Sequence, residues 1–173
     1  DVLGARRLAE ALQHSPSLKH LALANNNLGD EGFELLREKL VAKGIVTNLD
    51  FSSNGITGQS IRGPNMKIPW SACKGLKQLV LTNNSLGDAG VADLSCNLAT
   101  LPDLVELSVS NNLIGLDGVS TLLRSLLFTN IKVLDLSHNP LDIPAARALS
   151  FAMMHNSTLE ELKLEGTYMK AAA

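Results

Sequence analysis

The stretch LKHLALANNNL at residues 18–28 decides the fold, because its pattern L-x-x-L-x-L-x-x-N-x-L returns along the chain. Five further copies occur at residues 46–56, 76–86, 104–114, 131–141 and 159–169. Successive copies start 28, 30, 28, 27 and 28 residues apart. A period this regular indicates a repeat protein, in which each copy is one structural unit stacked on the next.

Each copy carries two apolar residues two positions apart, which places both on one face of a short extended strand. A single strand of this length buries too little apolar surface to be stable alone. Stacking the copies pairs each strand with the next and merges the apolar pairs into one core. The six pairs are Leu21/Leu23, Leu49/Phe51, Leu79/Leu81, Leu107/Val109, Leu134/Leu136 and Leu162/Leu164.

An asparagine follows the second apolar residue by three positions, where the chain has to leave the strand. A side-chain amide both donates and accepts hydrogen bonds, so it can satisfy turn backbone groups that would otherwise be buried without partners. We predict a structural ladder formed by Asn26, Asn54, Asn84, Asn112 and Asn139, whereas the sixth copy has Thr167 at this position.

The segments between copies carry apolar residues at spacings of three and four, the pattern of an amphipathic helix. Helices are predicted over residues 2–14, 30–43, 88–99, 117–128 and 144–155. Asp30 and Asp88 stand near the starts of two segments, where a short polar side chain caps a helix. We therefore predict that both aspartates are N-caps.

The return segment 57–75, TGQSIRGPNMKIPWSACKG, differs from its neighbours. Gly58, Gly63, Pro64 and Pro69 stand where the other segments have an unbroken helical pattern, and proline clashes inside a helix. The sequence predicts irregular, non-helical backbone over 57–75. This segment also carries the only tryptophan, Trp70.

The phrases LGDEG at 28–32 and LGDAG at 86–90, with a helical back half and a period near 28, resemble the ribonuclease-inhibitor-like subfamily of leucine-rich repeat proteins. The resemblance extends over nearly the whole chain. It implies an α/β fold: a right-handed leucine-rich repeat solenoid in a horseshoe arc, with parallel strands on the concave face and helices on the convex face. We interpret residues 1–173 as one domain of about six repeats, and we expect it to be a fragment of a longer protein.

Members of this subfamily have the binding of other proteins in common. They include ribonuclease inhibitor, Ran GTPase-activating protein, the sensor halves of NOD-like receptors, tropomodulin-like actin regulators and subunits of the axonemal nexin-dynein regulatory complex. The resemblance therefore implies a non-catalytic protein-interaction module or scaffold. Ribonuclease inhibitor itself is expected to be the poorest match, because its repeats are rich in cysteine where these carry asparagine.

The outward-facing strand residues form the first candidate binding surface, which we call the concave strip. Its candidate partner-binding residues are His20, Asn48, Asp50, Gln78, Glu106, Asp135, Glu161 and Lys163. Counted with Glu165, five carboxylates stand against one lysine, so the strip is more acidic than the chain as a whole, whose net charge is −2. This favours a protein partner with a basic surface. The alternative is a solvated sheet face.

The segment 57–75 supplies a second candidate surface. Ile61, Arg62, Met66 and Trp70 combine an arginine with an aromatic and aliphatic side chains, a composition found at binding hot spots. The alternative is that Met66 and Trp70 turn inward and fill the space that a regular helix would occupy.

Other classes of function find little support in the sequence. A net charge of −2 argues against nucleic acid or membrane as a partner. No histidine or cysteine group has metal-ligand spacing, and no phosphate-binding glycine loop occurs. We expect no enzyme activity, cofactor, metal or small-molecule substrate. Two cysteines are too few for disulfide-stapled repeat caps, so we expect a cytoplasmic setting, with cytoskeletal or axonemal association left open.

A regulatory GTPase-activating domain of the Ran-activating type is the alternative function. The resemblance implies that an exposed basic residue and a polar side chain on the rim at the strand C-terminal ends would then matter. The rim residues here, which include no arginine, are Asn25, Ser53, Asn83, Asn111 and His138.

Overall fold

The computed structural model describes residues 2–12, 14–41, 46–62, 70 and 73–169. The strands are β1 (His20–Ala22), β2 (Asn48–Asp50), β3 (Gln78–Val80), β4 (Glu106–Ser108), β5 (Val133–Asp135) and β6 (Glu161–Lys163). The helices are α1 (Val2–Leu12), α2 (Gly29–Val41), α3 (Gly58–Arg62), α4 (Gly87–Leu98), α5 (Leu116–Ser125) and α6 (Ile143–His155), and a 3₁₀ turn at Leu126–Phe128 extends α5.

Within these residues the six strands form one parallel sheet in chain order. Equivalent positions of successive copies are paired, as Leu49 is with Leu79 and Leu79 with Leu107. The core lies between the sheet and the helices, where strand residues such as Leu79 and helix residues such as Val91 are fully buried. The predicted α/β leucine-rich repeat solenoid is therefore confirmed.

The ladder asparagines bind the turns of adjacent copies together. The Asn54 Oδ1 accepts hydrogen bonds from the backbone N–H groups of Asn26 (3.1 Å) and Leu28 (3.3 Å) in the preceding copy. Its Nδ2 donates to the carbonyl oxygens of Leu23 (2.8 Å) and Phe51 (3.0 Å). Asn84 and Asn139 repeat this arrangement, so one side chain satisfies several backbone groups that no strand partner reaches.

Asp30 and Asp88 are not N-caps, because α2 and α4 begin one residue earlier, at glycine. The Asp30 carboxylate instead accepts hydrogen bonds from the Thr57 N–H (2.7 Å) and Thr57 hydroxyl (2.6 Å) of the next copy. Asp88 likewise accepts from the Gly115 N–H at 2.6 Å. These aspartates clamp one repeat to the next rather than capping their own helices.

The segment 57–75 is not wholly irregular, since α3 occupies Gly58–Arg62. The Thr57 hydroxyl accepts a hydrogen bond from the Gln59 N–H (3.2 Å) at the start of this turn of helix. The described residues end at 62, just before Gly63 and Pro64. The predicted irregularity at 63–69 falls outside the described residues.

No helix in the described part of the chain is both long and apolar enough to cross a membrane.

Candidate protein-binding surface

The parallel register arranges the outward strand residues in rows that run across the sheet. One row consists of His20, Asn48, Gln78, Glu106, Val133 and Glu161, and the next consists of Ala22, Asp50, Val80, Ser108, Asp135 and Lys163. All eight residues proposed for the concave strip therefore lie on one face of the sheet. They are exposed or half-buried, which leaves them accessible from the concave side.

Hydrogen bonds hold several polar groups of the strip in place. The Asp50 Oδ1 accepts from the N–H (2.8 Å) and the hydroxyl (2.6 Å) of Ser52. The Asp135 carboxylate accepts from the Ser137 N–H at 3.0 Å and the Ser108 hydroxyl at 3.1 Å. These bonds orient both carboxylates before any partner arrives, which reduces the entropy lost on binding.

Negative charge on the strip is only partly offset. Lys163 forms an ion pair with Glu161, its nitrogen lying 3.6 Å from a Glu161 carboxylate oxygen. Among the described residues, no lysine or arginine lies within ion-pair distance of Asp50, Glu106 or Asp135. The central part of the strip therefore presents carboxylates to solvent.

A shallow hollow of about 310 Å³ lies at the β1–β3 end of the strip. Its wall includes the predicted residues His20, Asn48, Asp50 and Gln78, together with Val80. The Asn48 Nδ2 donates to the Gln78 Oε1 at 2.9 Å, so this part of the wall is internally paired. The hollow offers one apolar patch and one carboxylate to a partner side chain.

The rim at the strand C-terminal ends is tied together by its own side chains. Its five residues all have positive φ, between 49° and 61°. The Asn83 Nδ2 donates to the Ser53 hydroxyl (2.7 Å), and the Asn111 Nδ2 donates to the Asn83 Oδ1 (2.6 Å). These side chains support the turns rather than extending toward a partner.

The structure contradicts the prediction of a second binding surface at two of its four residues, because both are buried. Ile61 and Trp70 are 0% exposed, so neither side chain is presented to a partner. The Trp70 ring lies 6.2 Å from that of Phe33, measured between centroids, and belongs to the core. The side chain of Arg62 and all of Met66 lie outside the described residues. For Trp70, the inward-facing alternative is the one that the geometry supports.

Arg37 was missed in the sequence, although it lies four residues after the core residue Phe33 on α2. It is 2% exposed, and its Cζ lies 5.4 Å from the centroid of the Trp70 ring, a cation–π distance. Burial lowers the pKa of Arg37. Burial also raises the pKa of the nearby Cys73 thiol to about 11, an effect that the charge of Arg37 opposes. Arg37, Trp70 and Cys73 are all buried, and Trp70 and Cys73 belong to the core.

The described residues contain no group of three or more His, Cys, Asp or Glu residues able to hold a metal ion. The concave strip supplies oriented carboxylates and amides, which suit recognition of cationic and polar groups.

The family model "Leucine Rich repeat" matches residues 14–36 and 72–97, and the model "Leucine Rich Repeat" matches residues 130–149. Ribonuclease inhibitor from Sus scrofa is 34% identical over 176 residues, which cover 95% of this chain and 37% of that protein. NACHT, LRR and PYD domains-containing protein 5 from Homo sapiens is 30% identical over 171 residues, covering 96% of this chain and 14% of that protein. The chain thus spans well under half the length of either relative.

The expectation that ribonuclease inhibitor would be the poorest match is wrong, since its identity exceeds that of the NACHT protein. One turn residue in each repeat contributes little to identity when the leucine framework is shared.

Solved structures of other proteins have the same fold. The tropomodulin C-terminal domain of Caenorhabditis elegans has a TM-score of 0.66 at 15% identity, covering 85% of this chain and 92% of that one. A leiomodin-1 domain, actin-binding site 2, has a TM-score of 0.57 at 15% identity, covering 94% and 78%. At such identities the likeness concerns the fold. Sequence relatives and fold together show that the chain belongs to the ribonuclease-inhibitor-like leucine-rich repeat proteins.

Proposed function

We propose that this chain is a protein-interaction module that binds a partner with a basic surface along the concave strip. The observation that carries the proposal is the group of carboxylates at Asp50, Glu106 and Asp135, for which no lysine or arginine among the described residues lies within ion-pair distance. A strip of one charge attracts an oppositely charged partner at long range and speeds its association.

The relatives support protein binding as the general role. Ribonuclease inhibitor is named for its action on another protein, and the leiomodin-1 domain is described as an actin-binding site. A cytoplasmic or cytoskeletal setting is part of the same proposal. The GTPase-activating alternative gains no support from the rim, because Asn83 and Asn111 are engaged in bonds between turns.

The proposal is tested by measuring association with two basic proteins, a pancreatic ribonuclease and lysozyme, over a range of salt concentrations. The variant Asp50→Asn, Glu106→Gln, Asp135→Asn keeps the side-chain shapes and removes three charges. A matched control, Glu10→Gln, Asp103→Asn, Asp117→Asn, removes three exposed carboxylates away from the strip.

We expect the strip variant to bind roughly tenfold more weakly at low salt and to show a shallower salt dependence, because steering depends on local charge. The control variant should bind nearly as the wild type does. Equal weakening in the two variants, or no association of the wild type with either protein, would refute recognition by the strip.

A further inference from the structure

A groove of about 350 Å³ lies on the convex side, between α5 with its 3₁₀ extension and α6. Its apolar walls include Leu123 and Leu127 on one side and Ala148 and Phe151 on the other. Leu127 is 54% exposed and Phe151 is 63% exposed. Two large apolar side chains on neighbouring helices are therefore open to solvent and available for association.

Differences between the residues at the starts of the helices explain why the groove forms. Between α4 and α5, Asp88 accepts a hydrogen bond from the Gly115 N–H and lies against Gly118, which has no Cβ to obstruct it. At the next junction the position of Asp88 is taken by Leu116 and that of Gly118 by Ala145. The junction of α5 with α6 therefore lacks both the carboxylate clamp and the glycine that permits close approach.

Phe151 occupies a position that is normally at the surface. The equivalent residues of other helices are Glu10, Glu38, Cys96 and Arg124. A phenylalanine there contributes nothing to the core between sheet and helix. Its exposure is explained if another molecule covers it.

A further repeat packed on α6 would leave this groove open. At 100° per residue, the side of α6 facing away from α5 carries Ala146, Ser150 and Met153, whereas Phe151 and His155 face α5. A following helix would contact the first set. The groove is thus open on the outside of the α5–α6 junction, and a repeat following α6 would not fill it.

The charges around the groove indicate what covers it. The titratable side chains in its wall are Arg124 and His155. Arg147 is exposed one turn before Phe151, and α6 contains no aspartate or glutamate. The acidic residue of α5, Asp117, lies in the first turn of that helix and is not part of the groove wall. An apolar trough bordered by two arginines and a histidine fits an amphipathic helix whose apolar residues recur at i, i+3, i+4 and i+7 and whose flanks carry carboxylates.

We propose that the α5–α6 groove binds an acidic amphipathic helix of a partner protein, at a site separate from the concave strip. Leu127 and Phe151 contact the apolar face of that helix. Arg124 and His155 meet its carboxylates. A concave trough favours a helix over a lipid surface, which has no ridge to fill it.

The probe is a fluorescein-labelled peptide of about 16 residues, with leucine and phenylalanine on one helical face and glutamate on the other. A counter-probe has lysine in place of every glutamate. Binding of each to the whole chain is followed by fluorescence anisotropy. Sedimentation with vesicles of phosphatidylserine and phosphatidylcholine tests a membrane as the alternative occupant.

The test variant is Leu127→Ser with Phe151→Ser, and the matched control is Met154→Ser, an exposed apolar residue on α6 that does not line the groove. We expect the glutamate probe to bind the test variant at least about tenfold more weakly and the control variant unchanged. Arg124→Glu should weaken the glutamate probe and improve binding of the lysine probe.

The proposal would be overturned by wild-type binding of the lysine probe as tight as that of the glutamate probe, by equal weakening in the test and control variants, or by binding to the vesicles with none to the peptide. Because every substituted residue is exposed or at the groove wall, circular dichroism should show both variants folded. A test variant that binds the peptide normally while folded would be equally decisive against it.

Discussion

Asp88 of the third copy lies directly against Gly118 of the fourth. A Cβ placed on residue 118 would stand 2.6 Å from the Asp88 Oδ1 and 2.9 Å from the Asp88 Cα. The same carboxylate oxygen accepts a hydrogen bond from the Gly115 N–H. Close approach of the two helices and the clamp between them therefore depend on the absence of one side chain.

Replacing Gly118 with alanine should lower the free energy of unfolding. A clash with backbone atoms costs roughly 1–3 kcal/mol, which outweighs the gain of about 1 kcal/mol in helix propensity. Gly32→Ala is the matched control, since its Cβ would meet only side-chain atoms, the nearest at 3.1 Å. Urea unfolding should show Gly118→Ala destabilised and Gly32→Ala neutral or stabilised. Equal stability of the two variants would contradict the clamp.

Replacing Asn54 with alanine should cost about 1–3 kcal/mol, because backbone groups of two turns lose their partner in a buried place. The same change at Asn26, whose side chain is exposed, should cost less. Urea unfolding of the two single variants makes the comparison. A larger loss of stability from the substitution at Asn26 would show that burial does not determine how much a ladder asparagine stabilises the chain.

Replacing Trp70 with alanine should destabilise the chain by about 3–5 kcal/mol, the range for a buried large aromatic residue. Phe128→Ala, at a residue 75% exposed, is the control and should have little effect. The wild-type fluorescence should be blue-shifted in the native state and move to the red on unfolding, since Trp70 is the only tryptophan. Red-shifted native emission would place the indole in water.

Stability should fall in alkaline solution through Cys73. Its pKa is raised from 9.0 to about 11, so between those values the unfolded chain releases the thiol proton while the folded chain keeps it. The contribution of the buried, neutral thiol to the free energy of unfolding is fully present below pH 9. It is lost as the pH rises toward 11, which lowers that free energy by an amount on the order of 2 kcal/mol. Cys73→Ala should have a flatter profile over this window. Parallel profiles would contradict the assignment.

Replacing Leu113 with asparagine should stabilise the chain by about 1 kcal/mol. Leu113 is 65% exposed and has a φ of 60°, a left-handed conformation that is costly for leucine. The equivalent residue of the first copy is Asn27, with a φ of 49°. Thermal unfolding should show a higher midpoint. A lower midpoint would mean that the leucine side chain contributes packing that outweighs its strain.

The residues of the concave strip could be assigned to one face from the local sequence pattern alone. Alternation along each strand and a regular period were enough to assign Asp50, Glu106 and Asp135 to one face, because parallel in-register stacking repeats the orientation of every equivalent residue. The positions of the ladder asparagines followed for the same reason. Both results depend only on features that recur in every copy.

The sequence by itself determined the repeat, the parallel strands, the helical layer and the asparagine turns, since each is encoded by a local periodicity. Only the tertiary structure decided which differing residues meet between copies. In the structure Asp88 connects two copies instead of capping its own helix. Trp70 is buried beside Arg37, and a groove lies beside Phe151. These outcomes depend on side-chain size and charge across a junction, where residues about 28 positions apart come into contact, and no pattern within one repeat contains that information.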